Sequence, residues 1–168
     1  MHSLELGGWS LEKTNMHYIE TERGRFIFEV CKQVLTPDEY MELYAAVGWS
    51  PFPREQVVTA LINSNFTVCV KDGQKAVGMG RTVGDGAYMY AILDVAVSPD
   101  YQGKGIGRLI IDNILKYIKE TVPYGYHVCA HLISTENKEG FYEKFGFGKK
   151  PGNGMGHGMM ALVIGEKE

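Results

Sequence analysis

Glycine alternates with basic and apolar residues in one short segment, which reads QGKGIGR from Gln102 to Arg108. Because glycine has no Cβ, the backbone of such a segment can approach a ligand closely. The free N–H groups in the first turn of a helix attract anions, and the helix dipole adds to the attraction. The segment therefore predicts a cradle for a phosphate group, and a tight strand-to-helix turn without a ligand is the alternative.

Two common phosphate-binding motifs do not match this segment. A P-loop requires lysine followed by serine or threonine after its last glycine, whereas Arg108 follows Gly107 here. The glycines of a dinucleotide-binding fingerprint have a different spacing from those at 103, 105 and 107. The loop alone therefore leaves the kind of phosphate ligand open.

Two elements must position this loop. Residues 87–97 form an apolar run that predicts a central strand, and Pro99 ends it because proline cannot donate to a strand ladder. Residues 105–120 carry apolar side chains with a period of 3.6 and predict a long helix. The loop is thus expected at the N-terminus of a helix that follows a buried strand.

Alternation and turn residues predict the remaining elements. Further strands are expected at residues 25–34, 66–71, 75–83, 126–133 and 159–164. Further helices are expected at residues 37–47, 53–62 and 137–145, the first of them capped by Thr36 and Glu39. The order predicts an α/β or α+β fold in which the strands flanking the long helix are parallel. Residues 1–20 are expected to be an N-terminal arm or an edge strand, and residues 21–168 one domain.

Composition narrows the class of protein. The chain has 168 residues, 45% of them hydrophobic, which fits one domain with a packed core. The net charge of −3 argues against nucleic-acid binding, and neither a membrane span nor a secretory signal is expected. Cys31, Cys69 and Cys129 each lie in an apolar run and predict reduced core cysteines, which fits a cytoplasmic protein.

The stretch from Asp94 to Gly107 (DVAVSPDYQGKGIG) resembles the signature of the GNAT superfamily of acyl-CoA-dependent N-acyltransferases. A second segment, residues 137–147 (NKEGFYEKFGF), is similar to another element of that family and leans toward arylalkylamine and small-amine enzymes. The resemblance covers residues 25–165. It implies a mixed central sheet of about six to seven strands with about four helices, in which a splayed pair of parallel strands holds coenzyme A.

The same resemblance implies the coenzyme site. The residues expected to hold the pyrophosphate are Gln102, Gly103, Lys104, Gly105, Ile106, Gly107 and Arg108. The backbone of Val95, Ala96 and Val97 is expected to pair with the pantetheine arm, and an N–H near Val95 to polarise the thioester carbonyl. Asn137 is expected to bind the arm, and Tyr142 to contact the coenzyme and protonate the departing thiolate as general acid.

A general base is harder to assign. The arylalkylamine enzymes carry two histidines on the central strand, and the corresponding positions here are Ala91 and Leu93, which cannot accept a proton. A protonated amine cannot attack a thioester, so some group must remove the proton. The candidates are Asp94, Tyr90, His131 and Glu136. For Asp94, a structural carboxylate is the alternative.

Substrate recognition is expected outside the two signature segments. Trp49 and Phe52 flank Pro51 and can wall a pocket for an apolar amine, or they form a packing cluster between helix and loop. Cys129 is expected in a core strand, which disfavours an acyl-enzyme. No metal is expected, and a homodimer is possible.

The sequence thus predicts transfer of an acetyl group from acetyl-CoA to a primary amine of a small molecule, by direct attack in a ternary complex. A protein or peptide N-acetyltransferase and a non-catalytic coenzyme A-binding sensor are the alternatives.

Overall fold

The computed structural model describes residues 15–21, 24–32 and 34–149. These residues form six strands and four α-helices, which confirms the predicted α+β class and its four helices. The strands are β1 (Asn15–Thr21), β2 (Gly24–Lys32), β3 (Phe66–Asp72), β4 (Lys75–Gly84), β5 (Met89–Val97) and β6 (Cys129–His131). The helices are α1 (Pro37–Ala46), α2 (Arg54–Ile62), α3 (Ile106–Thr121) and α4 (Glu139–Glu143), and a short 3-10 turn spans Pro99–Tyr101.

The strands lie in one sheet, in the order in which they follow each other in the chain. Neighbours are antiparallel from β1 to β5, whereas β5 and β6 run parallel and are connected through α3. This confirms the expectation that the strands on either side of the long helix are parallel. It also places the segment 102–105 between the 3-10 turn that follows β5 and the first turn of α3.

Local sequence signals set several element boundaries. The side chain of Thr36 accepts a hydrogen bond from the N–H of Glu39 at 3.2 Å, and the Glu39 carboxylate accepts one from the Thr36 N–H at 2.9 Å. This reciprocal capping box starts α1 where the sequence predicts it. The turn between β3 and β4 contains Gly73 at φ +58°, a conformation that favours glycine.

Helices cover both faces of the sheet. The helices α1 and α2 pack on one face around a core of buried residues, which includes Tyr40 and Leu43 of α1 and Met79 of β4. Neighbouring residues of a strand point to opposite faces, so Gly78 and Gly80 of β4 face the other side, where α3 packs. The central strands are therefore buried between two layers of helix.

Two glycines of β4 allow α3 to lie close to the sheet. A Cβ atom on Gly78 would lie 2.6 Å from Cγ2 of Ile106, and one on Gly80 would lie 2.6 Å from Cγ2 of Ile110. No alanine fits there unless these isoleucine side chains or the helix itself shift, because real Cβ atoms do not approach other atoms so closely. Since Ile106 is the first residue of α3, these glycines determine where the glycine-rich loop enters the helix.

The prediction of a buried strand at residues 126–133 was wrong. The strand β6 comprises only Cys129–His131, and both Cys129 and His131 are exposed. An apolar run indicates that a segment can form a strand. It does not determine the length or the burial of that strand, which depend on the elements that pair with it and pack on it. Cys129 is consequently not a core cysteine, whereas Cys31 and Cys69 are buried as predicted.

Contacts divide the chain into two compact units, with the boundary after Leu132. The first contains the sheet and α1 to α3, and the described part of the second contains α4, which is shorter than the predicted helix 137–145. The predicted strand 159–164 and residues 1–14 lie outside the described residues. None of the described helices combines the length and apolar character that a bilayer crossing demands.

Candidate functional site

The pairing of β4 with β5 shifts by one residue at Gly80. Two residues of β5, Asp94 and Val95, stand opposite this single glycine, which makes a β-bulge. Asp94 has a φ of +54°, in the left-handed region. A bulge changes the direction in which the following peptide groups point, and it lies here in the stretch that the family resemblance assigns to the thioester carbonyl.

The carboxylate of Asp94 is held from two sides. It accepts a hydrogen bond from the hydroxyl of Tyr40 at 2.9 Å and forms an ion pair with Nε of Arg81. The side chains of Arg81 and Asp94 are 14% and 16% exposed, and Tyr40 is buried. Burial raises the pKa of Tyr40, and the Asp94 charge raises it further, so the hydroxyl remains a donor at neutral pH.

The second half of β5 extends beyond its pairing with β6. The registered pairs end at Ala91 with His131, whereas β5 continues to Val97. On the β6 side, the described residues therefore give residues 92–97 no ladder partner. An extended ligand with amide groups could pair with this open edge as an added strand does. Among the described residues, the ladder between β5 and β6 thus ends before Val95, Ala96 and Val97.

The glycine-rich loop has the backbone of an anion cradle. Gly103 and Gly105 lie at φ +75° and +84°, and Gly105 is the N-cap of α3. The N–H groups of Ile106, Gly107 and Arg108 form the first turn of the helix, where no intrahelical acceptor is available. Successive amide groups in such a turn point into a shared concavity that suits phosphate oxygens.

The side chains of the loop make contacts of their own. Nε2 of Gln102 donates to the carbonyl of Val97 at 3.1 Å and so ties the loop to the end of β5. The ammonium of Lys104 lies 4.4 Å from the centre of the Tyr101 ring. Arg108 is exposed and pairs with Asp112 one turn further along α3 at 3.5 Å.

Tyr101 connects the loop to the turn between β3 and β4. Its hydroxyl donates to the carboxylate of Asp72 at 2.9 Å, and its ring lies edge-on against Phe28 at 6.4 Å. Sequence reasoning missed this residue. Tyrosine after Pro99 has no local pattern that reveals a partner 29 positions earlier in the chain.

Trp49 and Phe52, the predicted substrate contacts, lie in one aromatic cluster. The ring of Tyr44 lies 4.8 Å from Trp49 and 5.7 Å from Phe52, between ring centres, and 5.3 Å from the ring of Tyr40. Phe52 is 45% exposed, and Trp49 is half-buried. The packing cluster that the sequence offered as an alternative is therefore present, and through Tyr40 it reaches the carboxylate beside the bulge.

Asn137 and Tyr142 belong to the second compact unit. Asn137 is exposed and lies at φ +64°, just before α4. Tyr142 is half-buried in α4, with its ring 4.9 Å from Phe141 and 6.3 Å from Phe147. Burial raises the pKa of Tyr142 above its ordinary value, so the phenol holds its proton at neutral pH.

The remaining candidate groups differ in exposure. Tyr90 is 1% exposed, whereas His131 and Glu136 are exposed. Burial raises the pKa of the Cys31 thiol to about 11 and that of Cys69 to about 12, so neither is a thiolate nucleophile at neutral pH. Among the described residues, no cluster of three His, Cys, Asp or Glu side chains could hold a metal ion.

Comparison with known proteins identifies the family. Residues 63–149, just over half of the chain, match the acetyltransferase (GNAT) domain. The chain is 34% identical to a probable acetyltransferase of unknown function from meticillin-resistant Staphylococcus aureus. The alignment covers 80% of this chain and 99% of that one, with a TM-score of 0.70.

Two curated relatives extend the comparison. An uncharacterized N-acetyltransferase of Pyropia yezoensis is 31% identical over 67% of this chain and 65% of its own length. The histone acetyltransferase TAP1 of Glycine max is 31% identical over 62% of this chain and 48% of its own length. The chain thus spans about two thirds or less of these two proteins. The match over residues 63–149 contains both the bulge and the glycine-rich loop, and the chain belongs to the GNAT family of acetyltransferases.

Proposed function

We propose that the protein transfers an acetyl group from acetyl-CoA to a primary amine, most simply that of a small molecule. The observation that carries the proposal is the arrangement at the end of β5. Within the described ranges, residues 92–97 have no ladder partner on the β6 side, and the short 3-10 turn Pro99–Tyr101 leads from β5 to a left-handed glycine loop at the start of α3. Coenzyme A has the matching order of groups, an extended amide-containing arm followed by a pyrophosphate.

The described residues fit the two parts of the coenzyme. The first-turn N–H groups of α3, from Ile106 to Arg108, would hold the pyrophosphate, and the side chains of Lys104 and Arg108 add positive charge. The backbone of Val95, Ala96 and Val97 would pair with the amides of the arm. Gln102 would keep the loop against the strand end through its bond to Val97. The family resemblance assigns Asn137 to the arm.

The chemistry forms a carbon–nitrogen bond and breaks a carbon–sulfur bond. The neutral amine nitrogen attacks the thioester carbonyl carbon, the thiolate leaves and takes up a proton, and the nitrogen gives up one proton as the amide forms. The N–H near Val95 would stabilise the developing oxyanion, because the bulge turns that peptide group out of the strand ladder. Tyr142 would supply the proton to the thiolate, and its raised pKa keeps it protonated for that task.

The attacking amine must first lose its own proton. Among the candidate bases, His131 and Glu136 are exposed and can pass a proton to water, whereas Tyr90 is buried. We propose that the proton leaves through one of the two exposed groups or directly to solvent. The contacts of Asp94 with Arg81 and Tyr40 support a different role for this carboxylate.

The acceptor would bind on the α1–α2 side of the sheet. Trp49 and Phe52 present aromatic surface there, and Tyr44 connects them to Tyr40 and thus to the bulge. Aromatic faces bind apolar amines and their ammonium forms well. One relative carries the name of a histone acetyltransferase, so a peptide amine is the second candidate acceptor.

A panel of small amines, aminosugars and peptides, with release of free thiol as the readout, tests the proposal. Acetyl-CoA binding is measured separately by calorimetry. We expect acetyl-CoA binding and thiol release with small primary amines. Acetylation of peptides alone would favour the second candidate, and binding without transfer to any acceptor would point to a non-catalytic coenzyme sensor.

A further inference from the structure

We infer that Arg81 and Tyr40 are positioning residues for acyl transfer, and that they act through the carboxylate of Asp94. Together the three groups fix the backbone at the bulge and hence the direction of the Val95 N–H. The inference rests on the proposed function, because that N–H is the group assigned to the thioester carbonyl.

The backbone of Asp94 needs such support. A non-glycine residue in the left-handed region is unfavourable by roughly 1–2 kcal/mol, although aspartate tolerates it better than most. At φ +54° in the middle of a strand, Asp94 would relax toward ordinary strand geometry if nothing held it. Its side chain is the part that is held, by Arg81 of the neighbouring strand and by Tyr40 of α1.

The side chains of Tyr40, Arg81 and Asp94, which we call the lock, act on the peptide group between Asp94 and Val95. The carbonyl of Asp94 and the N–H of Val95 belong to one planar unit, so rotation at Asp94 swings that N–H as a rigid group. Gly80 stands opposite both residues and places no side chain against this unit. The orientation of the peptide therefore depends on the hydrogen bonds of the Asp94 carboxylate more than on its strand neighbour.

The same contacts argue against proton transfer by Asp94. One carboxylate oxygen, Oδ2, accepts a hydrogen bond from Nε of Arg81 and another from the hydroxyl of Tyr40. Arg81 extends further to Ser64, with Nη1 3.4 Å from the hydroxyl oxygen. Protonation of the carboxylate would disrupt the ion pair that holds the bulge. These contacts assign Asp94 to holding the bulge rather than to moving a proton.

Three variants test the lock, each changing one of its groups. Arg81→Met removes the cation, Tyr40→Phe removes only the hydroxyl, and Asp94→Asn keeps a side chain that tolerates the left-handed region and still accepts a hydrogen bond. We measure kcat and KM by thiol release, the Kd of acetyl-CoA by calorimetry, and the backbone amide signal of Val95 by NMR.

Arg81→Met is expected to lower kcat at least tenfold while the Kd of acetyl-CoA stays within twofold, and to shift or broaden the Val95 amide signal. Tyr40→Phe should do the same to a smaller extent. Asp94→Asn breaks the same ion pair and should also lower kcat at least tenfold, but it should leave the pH profile unchanged, because Asp94 removes no proton from the amine.

Two exposed or distant residues provide matched controls. Lys116→Met removes the cation of the exposed pair with Glu120 on α3, and Tyr117→Phe removes a hydroxyl near the end of the same helix. Both should leave kcat and the Val95 signal as in the wild type. If a variant were merely less stable, its melting temperature would fall, and kcat would not fall selectively while the Kd of acetyl-CoA stayed constant.

The outcomes separate the lock from the proposed function. If Arg81→Met leaves both kcat and the Val95 amide signal unchanged, the lock is refuted while the proposed function stands. If Asp94→Asn abolishes turnover and flattens the pH profile, Asp94 is the base and the positioning role is wrong. If the wild-type protein binds no acetyl-CoA, the proposed function fails and the positioning role in acyl transfer fails with it.

Discussion

Gly78 of β4 lies so close to Ile106, the first residue of α3, that an added methyl group would come within 2.6 Å of the isoleucine Cγ2. Ile106 follows directly after Gly105, the N-cap of the helix that carries the proposed pyrophosphate cradle. A glycine in the sheet therefore controls the height of the helix at the point where the cradle begins. The contact between Gly78 and Ile106 thus contributes both to the packing of the core and to the geometry of the proposed site.

Gly78→Ala is expected to lower stability by about 1–3 kcal/mol, because Ile106 must move to admit the methyl group. For a chain of this length, each kcal/mol lowers the melting temperature by about 2–4 °C. Acetyl-CoA affinity should fall as well, since the first turn of α3 moves. Gly148→Ala is the control, because a Cβ at Gly148 meets open space. Equal effects of the two substitutions would contradict the close packing.

Gly105→Val is expected to abolish binding of acetyl-CoA. A β-branched residue is strained at φ +84°, and its side chain would change the entry to α3. Gly86→Val is the matched control, because Gly86 is also left-handed, at φ +73°, but lies in the turn before β5. Both variants should lose about 1–3 kcal/mol of stability, and only the first should lose the calorimetric binding signal. Binding retained by Gly105→Val would refute the assignment of the loop.

Tyr142→Phe is expected to lower turnover at neutral pH by at least about tenfold and to leave acetyl-CoA affinity near normal. The group acts while it holds its proton, and its folded pKa lies above the ordinary 10.0. Any alkaline loss of the wild-type rate through this residue should therefore be centred above pH 10. The exposed Tyr126→Phe provides the control. Unchanged turnover in Tyr142→Phe would remove Tyr142 from the mechanism.

The ion pair between Lys71 of β3 and Glu39 of α1 joins the first helix to the sheet at 2.5 Å, with both side chains less than one-fifth exposed. The bond to Glu39 raises the pKa of Lys71 above 10.5. Burial alone would raise the pKa of Glu39, but hydrogen bonds from Lys71 and Thr36 outweigh it and lower the pKa below 4.5. The ion pair should therefore stabilise the fold fully between pH 4.5 and pH 10.5, the ordinary pKa values of the two groups.

Lys71→Met is expected to cost about 1–3 kcal/mol at pH 7, because Glu39 loses a partner in a partly buried position. The difference from wild type should shrink as pH falls below 4.5 through the lowered pKa of Glu39, and as pH rises above 10.5 through the raised pKa of Lys71. Chemical denaturation at several pH values measures this. Lys116→Met, in an exposed pair, should change stability by less than about 0.5 kcal/mol. A difference that stays constant with pH would refute the pairing.

The exposed Cys129 provides a test of direct transfer. In the native protein we expect one fast-reacting thiol among the three cysteines, because Cys31 and Cys69 are buried. Cys129→Ser should leave turnover unchanged, since direct attack needs no acyl-enzyme. Thiol labelling and the thiol-release assay measure the two effects, with Cys31→Ser as the labelling control. Loss of turnover in Cys129→Ser would favour a covalent intermediate.

Elements with a local signal could be predicted from the sequence. The capping box of Thr36 and Glu39 marks the start of α1, and the spacing of the isoleucines marks α3. The hairpin at Gly73 follows from its turn residues. In each case the residues that encode the element are neighbours in the chain.

Features that depend on distant partners could not be predicted. The bulge arises because β5 has two residues opposite one residue of β4. Neither Asp94 nor Gly80 belongs to a sequence pattern that reveals it. The bond from Tyr40 to Asp94 spans 54 positions. The length of β6 depends on its partners, and the apolar run around Cys129 did not encode it.

The bond between Tyr101 and Asp72 has a practical consequence for engineering the protein. The β3–β4 turn is short, glycine-containing and surrounded by open space at Gly73, which makes it attractive for inserting an epitope or a fluorescent label. Asp72, the residue just before this turn, however, accepts the hydrogen bond from Tyr101, which precedes the glycine-rich loop. A tag spliced there would disturb a segment some 30 residues downstream, so genetic fusions are better made elsewhere.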